Sequence, residues 1–281
     1  MTVFILLLVL LKINAFDMHC SYQNTWDGYC CISVDTEIRL NKDGLRNVVG
    51  IHTKNKNNSD VTCLSFHYSN VEYISNTFYQ KFKNLKSLVV YFSDLKSLDR
   101  SMFNGAYKLE QLIINNNFVK NIKRNTFLGA TSLDIIDLKL NIIEIIDIYA
   151  FSGLSKLKIL DLSFNVIKSI HRNTLIELHS IQRLFLSYNQ LTTIDKDMFK
   201  YNKDLVEIFL GGNKIKVIGV PNPFLHLFNL KVLYLESNLC IDSKFSDILG
   251  VYDSKLNDAI TKCQFNDKSI KTSLFYFIKN N

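Results

Sequence analysis

Residues 157–170 read LKILDLSFNVIKSI and residues 181–194 read IQRLFLSYNQLTTI, so apolar residues and one asparagine return to the same places 24 residues later. A fixed period constrains a chain more than any local propensity does, because every unit must solve the same packing problem with the same contacts. With Leu157 as position 1, that position recurs at Val61, Leu85, Leu109, Leu133, Ile181, Leu205 and Leu230, spaced by 24 throughout except for a last step of 25. Position 4 is Leu64, Leu88, Leu112, Ile136, Leu160, Leu184, Ile208 and Leu233, and position 6 is always Phe, Val, Ile or Leu. Position 9 is Ser69 and Ser93, then Asn117, Asn141, Asn165, Asn189, Asn213 and Asn238, and position 19 is Phe at 103, 127, 151 and 199.

Alternation around positions 3 to 7 predicts a short strand whose positions 4 and 6 point inward and whose positions 3, 5 and 7 point to the other face. The amide of an asparagine carries two donors and an acceptor, which suits it to backbone groups left inside a coil where the strand turns away. Serine reaches less far, so the two coils that carry Ser69 and Ser93 are expected to turn less regularly. One unit cannot bury its apolar face alone, so the copies must stack, with their strands forming one parallel sheet on the inner side of a curve.

The pattern LxxLxLxxNxL resembles the leucine-rich repeat, and the resemblance covers about residues 61–240. It implies an α/β leucine-rich repeat solenoid, a curved horseshoe with a concave parallel β-sheet and disulfide-capped ends. The chain then divides into residues 1–15, a cysteine-containing cap at 16–60, eight coils at 61–240, and a cap and tail at 241–281. The run MTVFILLLVLL followed by KINA has the length of a secretory h-region with a cleavage point after Ala15, and it is too short to span a bilayer. No later window has the apolar length of a membrane helix; the best, residues 274–278, is five residues long. The expected product is secreted and extracellular.

Six cysteines fall at the two ends, Cys20, Cys30, Cys31 and Cys63 against Cys240 and Cys263, as expected of an oxidising compartment. Open ends of an array expose apolar core and unpaired strand edges, so covers are wanted at those two places. Cys240 is expected to bridge to Cys263. Cys63, at position 3 and therefore outward-facing, is expected to pair with Cys30 or Cys31, and Cys20 with the other one; which is which stays open. Asn57-Asn58-Ser59 is the single glycosylation sequon, on the polar loop KNKNNSD, which makes Asn57 a candidate glycan site. The segments CSYQNTWDGYCC, VVGIHTKNKNNSDVTCLSF and FKNLKSL resemble the amino-terminal part of secreted insect leucine-rich repeat proteins. Related domains form the outer parts of Toll-type receptors and of mosquito immune proteins that hold complement-like partners. That resemblance implies a protein ligand and a role in innate recognition. The chain shows neither the heptad region of those immune proteins nor a signalling domain, so receptor function in its own right is not expected.

Solenoids bind through the variable outward positions of the concave sheet. Position 5 carries Phe185, Phe209 and Tyr234 in consecutive coils, flanked at position 3 by Arg183 and Glu207, and aromatics with arginine are the composition of a protein-binding hot spot. Asp137 and Asp161 precede them in the same row, close enough to repel, and complete the candidate partner-binding residues. Two carboxylates fall far short of a calcium shell, so they read as a solvated acidic patch and no metal is expected. The aromatics of position 8, Tyr68, Phe92, Phe164 and Tyr188, read as packing residues beside the turn.

No GxSxG, HExxH or phosphate-binding glycine loop occurs, no cofactor is implied, and the histidines at 19, 52, 67, 171, 179 and 226 share no coil position, so catalysis is not expected. The net charge of +7 is spread over most coils, densest at Lys120, Lys123 and Arg124, which leaves an anionic glycan contact open but has no nucleic-acid motif behind it. The expectation is a secreted, non-enzymatic protein-binding scaffold. The alternative is a structural or adhesion component of extracellular matrix on the same frame.

Overall fold

The computed structural model describes residues 16–25, 28–33, 45–247 and 254–264. The expected leader at 1–15 and the tail from 265 onward lie outside the described residues. Sixteen strands are described: β1 (Phe16–Thr25), β2 (Gly28–Ser33), β3 (Leu45–Val49), β4 (Cys63–His67), β5 (Ser87–Tyr91), β6 (Gln111–Ile113), β7 (Asn121–Ile122), β8 (Ile135–Asp137), β9 (Ile145–Ile146), β10 (Ile159–Asp161), β11 (Arg183–Phe185), β12 (Thr193–Ile194), β13 (Glu207–Phe209), β14 (Val217–Ile218), β15 (Val232–Tyr234) and β16 (Lys244–Ser246). One strand per coil, from β4 to β15, joins a twelve-stranded sheet of order β16-β15-β13-β11-β10-β8-β6-β5-β4-β2-β1-β3, with β7–β9 and β12–β14 as two small ladders apart from it. The repeat strands pair parallel and in register, Leu160 against Ile136 on one side and Leu184 on the other, so each position of the repeat forms a row across the sheet. The opposite wall is made of turns and short 3-10 segments, with one five-residue helix, α1 (Thr77–Lys81).

Positions 1, 4 and 6 are buried in every coil and line one continuous core. Phenylalanines of position 19 run along its far side: Phe103 to Phe127 at 5.4 Å between ring centroids, Phe127 to Phe151 at 5.8 Å, and Phe199 to Phe224 at 5.5 Å. Leu175, also buried, holds this position in the coil between those of Phe151 and Phe199. The extra residue of the seventh coil places Phe224 in this column, and the bulge it creates around Pro221 receives the C-terminal helix α2 (Ser254–Gln264). There Asn222 Nδ2 donates to Asn257 Oδ1 and Gln264 Nε2 donates to the Gly219 carbonyl.

The asparagines tie neighbouring coils together. Asn165 Oδ1 accepts from the Ile143 N–H of the preceding coil at 2.8 Å, while its Nδ2 donates to Leu138 O of that coil at 3.1 Å and to Leu162 O of its own at 3.0 Å. Asn141, Asn189, Asn213 and Asn238 repeat these three bonds one coil apart. The expectation that the serine coils turn less regularly is not met in the backbone. Residue 8 is left-handed in all eight coils, with φ between 47° and 69° from Tyr68 and Phe92 through to Ser237. The serine coils differ by continuing the sheet: β4 and β5 pair over five residues, to His67 against Tyr91, where later strands pair over three. The position 11 N–H of the first coil, Val71, bonds the Ser69 carbonyl, so no side-chain acceptor is needed there.

Both ends are covered. At the amino-terminal end β1 and β2 pair antiparallel, β2 continues the sheet beside β4, and Cys20 is bonded to Cys31. Cys63 was expected to face outward; it is buried, because β2 lies alongside it with Cys30 as its register partner. Tyr22, Tyr29 and His52 pack within this cap: the Tyr22 ring lies 3.8 Å from His52, which also contacts Tyr29 Oη through Nδ1 and Asn58 Oδ1 through Nε2. Burial, with Tyr29 nearby, pushes the Tyr22 hydroxyl up to about 12. At the other end β16 adds antiparallel to β15, and Cys240 is bonded to Cys263 on α2, whose Leu256, Ile260 and Cys263 are buried.

Candidate functional site

Position 5 faces away from the core in β8, β10, β11, β13 and β15, because position 4 occupies the buried side of the same three residues. Parallel registration therefore sets Asp137, Asp161, Phe185, Phe209 and Tyr234 side by side on five successive strands, about 4.8 Å apart. All five are partly exposed on the concave face. The Phe185 and Phe209 rings stack at 4.6 Å with their planes 7° apart, and Tyr234 meets Phe209 edge-on at 5.0 Å.

The charged residues of this face are mostly matched among themselves. Arg183 forks onto Glu207, Nε to Oε2 at 3.1 Å and a second guanidinium nitrogen to Oε1 at 3.4 Å, so the two position 3 groups are brought together as one pair. Lys244 on β16 sits 3.3 Å from Glu236 and 5.2 Å above the Tyr234 ring, so the aromatic row ends under a cation supplied by the carboxy-terminal cap. Glycine at 211 makes room for this arrangement, since a Cβ there would stand 2.8 Å from Glu236 Cδ. Asp137 accepts from Asn115 Nδ2 at 3.0 Å and lies 3.4 Å from Lys139 Nζ. Asp161 accepts from the Ser163 N–H at 2.9 Å. Burial holds its carboxyl above the usual carboxylate range, and the Asp137 charge adds to that.

The aromatics of position 8 stand on the lip beyond the strands, where Tyr68 stacks on Phe92 at 5.2 Å and Phe164 on Tyr188 at 4.4 Å. Tyr188 in turn lies against Gly212, where a Cβ would approach within 2.7 Å of its ring. Elsewhere Ser65 Oγ and His67 Nε2 are 2.6 Å apart at the first coil, but the hydroxyl is buried and so not presented to solvent, and burial lowers the His67 pKa. His52, His67, His171 and His226 make their contacts in four separate places. Among the described residues no three His, Cys, Asp or Glu side chains gather where a metal ion would be held. The basic cluster is divided: Lys120 reaches Glu144 at 4.0 Å and Arg124 lies over the Tyr149 ring at 4.1 Å. Asn57 is exposed, its Oδ1 accepting from the Ser59 N–H at 2.7 Å.

Stacked coils, a concave parallel sheet and asparagine ladders define a repeat solenoid. The leucine rich repeat family matches at residues 83–143, 131–191 and 182–239, which together exceed half of the chain, and the protein belongs to that family. Proteins of this kind are typically non-enzymatic scaffolds that bind other proteins. A comparison with curated proteins finds no match. Among solved structures the chain is similar to TLR13 in its complex with ssRNA13, at 24% identity and a TM-score of 0.60, covering 69% of this chain and 28% of that one. It is also similar to a leucine-rich repeat protein of Leptospira interrogans, at 20% identity and a TM-score of 0.53, covering 64% of this chain and 50% of that one. The chain thus spans half or less of the length of each of these two structures. Among the described residues no helix is long and apolar enough to cross a membrane.

Proposed function

We propose that this chain is a secreted, non-enzymatic scaffold of innate recognition whose concave face docks a protein partner on Phe185, Phe209 and Tyr234. The observation that carries this reading is the partly exposed aromatic row itself, three neighbouring rings held side by side on the outward face of the sheet. Such a surface supplies large contact area at little entropic cost, which is how hot spots are built. The cations beside it, Lys139, Arg183 and Lys244, are already paired with Asp137, Glu207 and Glu236, which among the described residues leaves no free basic stripe for a phosphate backbone, so a protein is favoured over a nucleic acid of the kind seen with TLR13. The resemblance of the amino-terminal segments to secreted insect repeat proteins, the apolar leader, the terminal cysteine pairs and the exposed sequon at Asn57 support an extracellular setting.

The test has two arms. Expressed from its full sequence in eukaryotic cells, the protein should reach the medium beginning at Phe16, with a mass excess removed by Asn57→Gln; retention inside the cell would overturn secretion. From extracellular fluid, wild type should recover a partner that a Phe185→Ala, Phe209→Ala, Tyr234→Ala variant does not. Equal recovery by both would remove the proposed site.

A further inference from the structure

The carboxylates of the concave face differ in one respect. Asp137 has Lys139 at 3.4 Å, Glu207 has Arg183 at 3.1 Å and Glu236 has Lys244 at 3.3 Å. Asp161 is held by Ser163, whose amide donates to it at 2.9 Å, and among the described residues no cation lies within ion-pairing distance of it, Lys139 being paired with Asp137 and acting on Asp161 from farther off. It is also the position 5 residue registered directly against Phe185.

The aromatic stack decides what stands beside it. Two rings 4.6 Å apart and 7° from parallel must overlap face to face, because rings lying edge to edge would clash at that separation. Their stacking direction is that of the row, so one face of Phe185 is covered by Phe209 and the other is turned toward β10, over Asp161. Asp161 is far shorter than a phenylalanine ring, which leaves a step: a carboxylate for a floor and a free aromatic face for a wall.

We infer that the docked partner places a basic side chain, arginine or lysine, in this step, its cation on Asp161 and its body against the free face of Phe185. A guanidinium suits both surfaces, since it forks onto a carboxylate and stacks on an aromatic face. A lysine satisfies the same charge with a weaker stack. Partial burial makes an ionised Asp161 costly when unmatched, so an arriving cation is gained at the site in the bound state. The inference rests on the reading of the concave face as a docking surface.

The probe is a displayed library of random dodecapeptides, panned on the immobilised protein. Peptides whose capture depends on Phe185, Phe209 and Tyr234 should be enriched in arginine or lysine next to an apolar residue. In synthetic winners, replacing that basic residue by glutamine should weaken binding at least about tenfold. Asp161→Asn, which keeps the shape and the Ser163 bond, should weaken the parent peptide by the same factor. The glutamine peptide on the Asp161→Asn variant should show no further loss, the signature of a direct pair. Winners that depend on the aromatic row but carry no basic residue, or whose basic residue is uncoupled from Asp161, would overturn the cation step and leave the docking surface standing. If no winner depends on the aromatic row, the docking reading falls and this inference with it.

Discussion

Asn165 shows what one polar side chain does inside a repeat. Its amide satisfies the Ile143 N–H, the Leu138 carbonyl and the Leu162 carbonyl, all out of reach of water. Asn165→Ala removes the partner while leaving those groups buried, and each orphaned group costs about 1 to 3 kcal/mol. A total loss of about 3 kcal/mol is expected, read as a lower urea midpoint at unchanged slope. Asp161 behaves in the opposite sense. Its folded carboxyl holds a proton more strongly than the ordinary value of 3.8 because of burial and then Asp137, with the Ser163 bonds and Lys139 opposing. The folded state therefore binds more protons than the unfolded one as pH rises through and above that value, and stability falls with pH over this window. Asp161→Asn should be more stable than wild type at neutral pH, with the difference vanishing once both states are protonated at low pH; denaturation midpoints at the two pH values check it. The asparagine role was legible from sequence, since only the amide fits a recurrent turn with both donors and acceptors stranded. The left-handed backbone at position 8 was not, because residues as unlike as Tyr68, Leu140 and Ser237 adopt it and no side-chain preference marks it.

The caps show where local pattern stops informing. Strand, turn and spine follow from the period because each repeat samples the same environment, whereas each cap occurs once. Adjacent cysteines at 30 and 31 point to opposite faces, yet only the antiparallel hairpin of β1 and β2 determines that Cys31, packed in the core with Cys20, takes that partner. The remaining two, Cys30 and Cys63, are register partners on β2 and β4, and we expect the denatured, unreduced protein to titrate no free thiol; two thiols would show them unjoined. The antiparallel β16 and the seat of α2 on the proline bulge were equally hidden, since both depend on contacts between distant segments. At this end the Cys240–Cys263 bond closes a loop with a sequence separation of 23. Its loss in Cys240→Ser should cost about 3 kcal/mol by loop entropy. Release of α2 would follow, visible as faster proteolysis within residues 254–264.

At the scale of the molecule, stability and binding are carried by different directions of the same array. Each coil touches only its neighbours, and the rules at every junction are alike, so stability depends on how many coils stack between two caps. The concave row depends instead on which coils are adjacent. Deleting residues 133–156 removes one full coil and sets Ile113 beside Asp161, while Asp161, Phe185, Phe209 and Tyr234 keep their order. Deleting residues 181–204 removes an equal length but takes Arg183 and Phe185 with it, setting Asp161 beside Phe209. Both proteins retain the caps and an in-register asparagine ladder, so both are expected to fold with similar losses of melting temperature. Their binding should diverge: the first deletion keeps capture of a partner that wild type recovers, and the second loses it. Loss of capture in both would mean that the partner reads the curvature or reach of the whole horseshoe, and retention in both would place it away from the aromatic row.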